Sequence, residues 1–168
     1  YGPVYCVTKG LLRLDRWNKE GLSMVQLALP GDLLGVETLC AESYTYSITA
    51  IMPSEVKLQP VNGAISNFAF VSKALLQQQR RAQDMVKLRT GHVSDRLAYF
   101  LNLLEMKHVG NSQELDRRDL PMIKEIAVIV DCTNETVCRQ LNDFIPARTY
   151  EKPNNKTFVS SHSMKLAA

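Results

Sequence analysis

Apolar residues recur along this chain with two different periods, and the change of period divides it. Through residues 4–58 hydrophobic and polar positions alternate in short runs, the two-residue period of half-buried strands. The runs cover residues 4–14 (interrupted at Gly10), 23–29, 33–39, 44–52 and 54–58. Asn18-Lys19-Glu20-Gly21 reads as a hairpin turn and Pro30-Gly31-Asp32 closes the run that follows it, because Gly and Asp supply the backbone geometry that tight turns need. Short strands with regular turns predict an antiparallel barrel or sandwich. From residue 62 to about 91 the period lengthens, with Phe68, Val71, Leu75, Ala82, Met85, Val86 and Val93 at helical and heptad steps, widened by Leu76 and Leu88. A helix this long on a small protein rarely buries one stripe against its own domain alone. Gly91 breaks the pattern, and Ser94 is expected to cap a further helix over about 95–107 bearing Leu97, Phe100, Leu101 and Leu104 on one face.

Two shorter helical patterns follow. Ile123, Ile126, Ala127 and Val130 stand at i, i+3, i+4 and i+7, and Val137 and Leu141 lie four apart in the next. Thr133 is a good N-cap for the second, and Asp131 stands where a left-handed turn residue is needed, which Asp tolerates better than most. Two short helices across such a turn, the second opening on polar side chains, describe a helix-turn-helix. Arg139, Glu135 and Asn134 are side chains suited to guanine, cytosine and adenine edges in a major groove. Leu120-Pro121 is expected to form a short strand before the first helix.

Composition narrows the function classes without naming one. The chain has 168 residues and a net charge of +3, distributed as −1 over residues 1–65, +4 over 66–110 and zero over 111–168. Charge alone is therefore weak support for nucleic-acid binding. No apolar run is long enough to span a bilayer, and no secretory signal opens the chain. Cys6, Cys40, Cys132 and Cys138 are scattered without metal-ligand spacing and are expected to be reduced thiols. A phosphate-cradling Gly loop, an H-E-x-x-H pair and a partnered nucleophile are all missing from the sequence, so an enzyme is not expected.

The segment KEIAVIVDCTNETVCRQLNDF resembles the DNA-binding motif of the cyclic-AMP receptor protein/fumarate–nitrate reduction regulator (CRP/FNR) family of bacterial transcription regulators. That family's recognition helix commonly reads S/T-x-E-T-V-x-R, matched here by Thr133, Glu135, Thr136, Val137 and Arg139. The strand region is similar to the second half of the family's sensor roll, through V-Y-x-V-x-x-G at residues 4–10, Pro30-Gly31-Asp32 before Gly35, and Ala50 with Ser54-Glu55-Val56. The roll's opening strands have no counterpart before Tyr1, so the start of the sensor is expected to be missing from this sequence.

The resemblance implies an α+β protein: a partial antiparallel β-roll of the cyclic-nucleotide-binding, jelly-roll type (residues 1–61), a long dimerisation helix (62–92) and a winged helix-turn-helix domain (93–168). It implies double-stranded DNA, a second copy bound through residues 66–91 and RNA polymerase as partners, in a bacterial cytoplasm. DNA would be met by Thr133, Asn134, Glu135, Thr136, Arg139 and Gln140, with Lys152 and Lys156 of a wing hairpin on phosphates. Effector contacts would fall on Gly35, Val36, Glu37 and Thr45. Cyclic-nucleotide-binding members carry a Glu and an Arg-Ser pair in this segment, whereas here Tyr44-Thr45-Tyr46 stands in the Arg-Ser neighbourhood. Without that Arg a cyclic phosphate loses its charge-assisted partner. The expected effector is therefore not cyclic AMP but a small anion such as 2-oxoglutarate, held by Arg80 or Arg81 of the long helix. The competing expectation is a degenerate sensor that dimerises and meets a protein partner without touching DNA.

Overall fold

Six strands precede four helices in a computed structural model that describes residues 2–60, 64–107 and 117–145, with the side chains of 64–67 and 106–107 excepted. The strands are β1 (Val4–Lys9), β2 (Leu12–Asn18), β3 (Gly21–Ala28), β4 (Leu33–Leu34), β5 (Ser47–Ala50) and β6 (Glu55–Gln59). They form two three-stranded antiparallel sheets, ordered β4-β1-β6 and β3-β2-β5. The β2–β3 hairpin pairs Asn18 with Gly21 across Lys19-Glu20, and Asn18 Oδ1 accepts from Glu20 N at 2.9 Å to hold the turn. A bulge between Leu14 and Asp15 adds twist and re-aims the residues beside it. Between the sheets lie Val7, Leu12, Leu14, Ala28 and Leu34, with Tyr5 and Tyr46 packed against them.

The 26-residue helix α1 (Ala64–Arg89) has two unlike faces. Gln77, Arg81, Met85 and Leu88 are buried, spaced by three and four as one helical face requires. Phe68, Leu75, Ala82 and Val86 occupy the opposite side and are exposed, Phe68 by 75% and Leu75 by 62%. The single stripe expected from the sequence is thus two: Met85 and Leu88 face the protein's own core, and most of the rest face outward. Helix α2 (Val93–Lys107) begins one residue before Ser94, and its first turn is capped by the His92 carbonyl, which accepts from Asp95 N and Arg96 N at 3.1 Å each. Ser94 therefore lies inside the helix and does not cap it. Leu97, Phe100, Leu101 and Leu104 are buried as the sequence predicts, and Leu103 joins them.

In place of the strand expected at Leu120-Pro121, a 3-10 turn (Arg117–Asp119) leads in, and Pro121, lacking a donor N–H, precedes the Met122 cap of α3 (Ile123–Ile129). Helix α4 (Asn134–Phe144) follows. One continuous core joins all of these to the sheets: Leu11, Met24, Leu27 and Leu29 from the strand region, Met85 and Leu88 of α1, the α2 leucines, Ile126 and Ile129 of α3, and Val137 and Leu141 of α4. The expected wing hairpin, with Lys152 and Lys156, lies outside the described residues.

Candidate functional site

The turn between α3 and α4 is built by local chemistry. Val130 N donates to Ile126 O at 2.9 Å to end α3, Asp131 takes φ 49°, and Cys132 N reaches back to Ala127 O at 3.0 Å. A left-handed residue with a back-reaching amide is a standard helix stop, and Asp fills it here without glycine. Thr133 is the N-cap of α4: its hydroxyl accepts from Thr136 N at 3.3 Å and lies 2.9 Å from the Thr136 hydroxyl. From α2, Arg96 Nη1 donates to Val130 O at 2.8 Å and Asp131 O at 3.1 Å, while its Nε is buried without a partner among the described residues. Burial raises the Cys132 thiol pKa, with Arg96 opposing and Asp131 adding to the effect, so this thiol is held in its less reactive, protonated form.

Val137 and Leu141 anchor α4, at 0% and 1% exposure. Its other face presents Asn134, Glu135, Cys138 and Arg139 to solvent, with Thr136 and Gln140 half-buried at the flank. Among the described residues neither Glu135 nor Arg139 forms a hydrogen bond or ion pair through its side chain. These side chains are therefore available to an outside partner. At the far end, Arg117 Nε donates to Ile145 O at 2.6 Å and its Nη2 to Asn142 Oδ1 at 2.5 Å.

A second candidate site lies between the sheets. Gly35 takes φ 73° and starts the 3-10 turn Val36–Cys40. A Cβ there would meet the Tyr44 ring at 2.6 Å, so both the backbone angle and the space demand glycine. Glu37 Oε1 accepts from Thr45 N at 3.1 Å, and Tyr44 OH donates to Pro3 O at 2.8 Å. Gly35, Val36 and Glu37 line a cavity of about 430 Å³ together with Tyr5, Gln26 and Tyr46, whereas Thr45 does not line it.

The two arginines expected to hold an effector are elsewhere. Arg80 is exposed, and neither it nor Arg81 lines the cavity. Arg81 is buried and pairs with Asp32 through Nε–Oδ2 at 2.7 Å and Nη2–Oδ1 at 3.0 Å, and with Asp84 through Nη1–Oδ2 at 2.6 Å. Burial lowers the Arg81 pKa, but the hydrogen bonds and charges of Asp32 and then Asp84 outweigh it and leave the value raised. With three of its five N–H donors spent and its charge already paired with two carboxylates, Arg81 is poorly placed to take a ligand carboxylate. Tyr99 OH donates to the other Asp84 oxygen at 2.7 Å, and Lys87 Nζ sits 5.0 Å from the Tyr99 ring centre. Gln77 completes the joint, accepting from Leu33 N at 2.6 Å and donating to Leu33 O at 3.0 Å. In sequence Asp32 is legible only as a turn residue, and its partner stands 49 positions away. A second tie escapes sequence reading altogether: Arg13 of β2 chelates Asp15 at 2.9 and 3.0 Å and pairs through Nη1 with Glu125 of α3.

The fold recurs in known structures. A CRP-family transcriptional regulator from Thermus thermophilus, TTHB099, superposes with a TM-score of 0.63 at 27% identity, covering 84% of this chain and 74% of its own. FixK2 from Bradyrhizobium japonicum gives 0.58 at 26% identity, over 85% and 76%. The architecture is that of the CRP/FNR regulators. A cyclic nucleotide-binding domain containing protein from Listeria monocytogenes EGD-e shares the fold at TM-score 0.57 and 14% identity, over 84% and 72%. Neither a protein-family model nor a curated protein matches the chain in sequence. The CRP/FNR resemblance read from 133–139 and from the Pro-Gly-Asp turn is thus borne out by structure. Among the described residues no helix is long and apolar enough to cross a membrane.

Proposed function

We propose that this chain is a transcription regulator that binds DNA sequence-specifically as a dimer, with α4 in the major groove. The observation that carries the reading is the outward face of α4, where Asn134, Glu135 and Arg139 are exposed and uncommitted among the described residues while Val137 and Leu141 fix the helix from behind. Arg is suited to a guanine edge, Glu to cytosine N4 and Asn to adenine; Thr133, Thr136 and Gln140 flank them. The exposed Phe68–Leu75–Ala82–Val86 face of α1 is the dimer seam in this reading, since a heptad-spaced apolar stripe buries itself against a copy. Residues 1–61 then act as sensor, 62–92 as dimerisation helix and 93–168 as DNA-binding unit. Lys152 and Lys156 would serve phosphates, and RNA polymerase would be the downstream partner.

Selection from a randomised duplex pool at two salt concentrations tests this. A two-fold-symmetric consensus, with half-sites about one helical turn apart, is the expected result. Salt-insensitive failure to retain any duplex would overturn it and favour a protein-binding dimer, because phosphate contacts impose a steep salt dependence. Arg139→Ala is expected to cost about 1–3 kcal/mol on the selected site and to relax specificity there. Equal losses on selected and random duplexes would contradict the role given to Arg139.

A further inference from the structure

The cavity between the sheets has the lining of a site for an uncharged guest. Its walls include Tyr5, Leu14, Leu34, Val36, Tyr46 and Ile48, and its volume of about 430 Å³ suits a small organic molecule. Among the described residues Glu37 is the single charged side chain in the lining, and no Lys, Arg or His is there. A phosphate or carboxylate entering would lose its water and meet a carboxylate and phenols with no cation to pair with. The same field acts on the Tyr44 phenol, whose pKa is raised by loss of water, then by Tyr5 and Glu37. Arg81, the buried cation of the neighbouring helix face, is consumed by Asp32 and Asp84.

Of the two buried glutamines in the lining, one is unspent. Gln77 uses its carbonyl and amide on the Leu33 backbone. Gln26 does not: it sits on β3 opposite Leu14, is 5% exposed, lines the cavity and has no side-chain hydrogen bond among the described residues. Its amide is not sealed from solvent and opens onto the cavity, where a guest carrying both an acceptor and a donor would match it.

We propose that this cavity binds an uncharged, largely apolar molecule that presents a paired donor and acceptor, of the carboxamide or lactam class, to Gln26. Calling that molecule the effector rests on the regulator reading above; its binding does not.

The test is fluorescence titration of the full chain with N-phenyl-1-naphthylamine, an uncharged probe, and competition by benzamide, benzoate, cyclic AMP and 2-oxoglutarate. Saturable uptake of the probe is expected, with displacement by benzamide at least about tenfold better than by any of the three anions. Ala74→Phe, which fills the cavity from α1, should abolish uptake. Gln26→Leu keeps the volume, so it should retain the probe and weaken benzamide about tenfold, the worth of one good buried hydrogen bond. Anions competing as well as benzamide, probe uptake untouched by Ala74→Phe, or benzamide indifferent to Gln26→Leu would each overturn the proposal. No DNA enters this assay, so a failed duplex selection and an empty cavity are separate results.

Discussion

Arg81 shows how a polar residue can decide the fit of a helix onto a sheet. With 8% of its side chain exposed, it bridges Asp32 of the strand region and Asp84 of its own helix. Removing one partner of a buried pair leaves charge stranded, which costs about 3–5 kcal/mol. Arg81→Leu is therefore expected to lower unfolding stability in urea by about that amount, while Arg80→Leu, on the exposed side, should change it by less than about 0.5 kcal/mol. Tyr99 reports on the same joint from α2. Burial, then the hydrogen bond and charge of Asp84, push its pKa from 10.0 up to about 12. A folded-state pKa above the unfolded one means the phenol's contribution is complete below pH 10 and is lost as pH rises through about 12. Stability measured across that window should fall in the parent and slope less in Tyr99→Phe. None of this is legible in the sequence, because a buried ion pair leaves no periodic trace: Asp32 reads as a turn, and a helix arginine reads as solvated surface or as a ligand hook.

At the scale of elements the sequence is far more informative, for a physical reason. Strand alternation, the Asn18–Gly21 hairpin, the Thr133 cap and the Asp131 turn are all local, and each forms where local chemistry demands. The misses are elements whose form is set by neighbours. Leu120-Pro121 follows a 3-10 turn rather than pairing as a strand, and the 33–39 run becomes two strand residues and a 3-10 turn at Gly35. Periodicity locates α1 but merges its two faces, since Met85 and Val86 are adjacent in sequence and differ in fate: one is 9% exposed, the other 60%. The faces make separable predictions. Leu75→Asp should convert a dimer to a monomer in sedimentation velocity with helicity retained, whereas Leu88→Asp, at 0% exposure, should unfold the chain. A parent that sediments as a monomer would remove α1 as the seam.

Over the whole molecule, the core ignores the divisions that sequence suggests, running from Leu11 and Met24 through α1 and α2 to Val137 and Leu141. Arg13 and Glu125 stitch β2 to α3 across it. Glu125→Ala should lower protection of the α3 amides against hydrogen exchange by about 1.5–3 kcal/mol; unchanged α3 protection would mean the pair is incidental. Arg96, meanwhile, clamps the α3–α4 turn to α2 one turn beyond Gly91, whose φ of 86° and open surroundings mark the break between α1 and α2. The clamp has a kinematic consequence. Arg96 stands about 7.5 Å along the helix axis from Gly91, and it holds both Val130 O and Asp131 O. A change of angle at Gly91 would therefore carry the turn, and with it the heading of α4, together with α2.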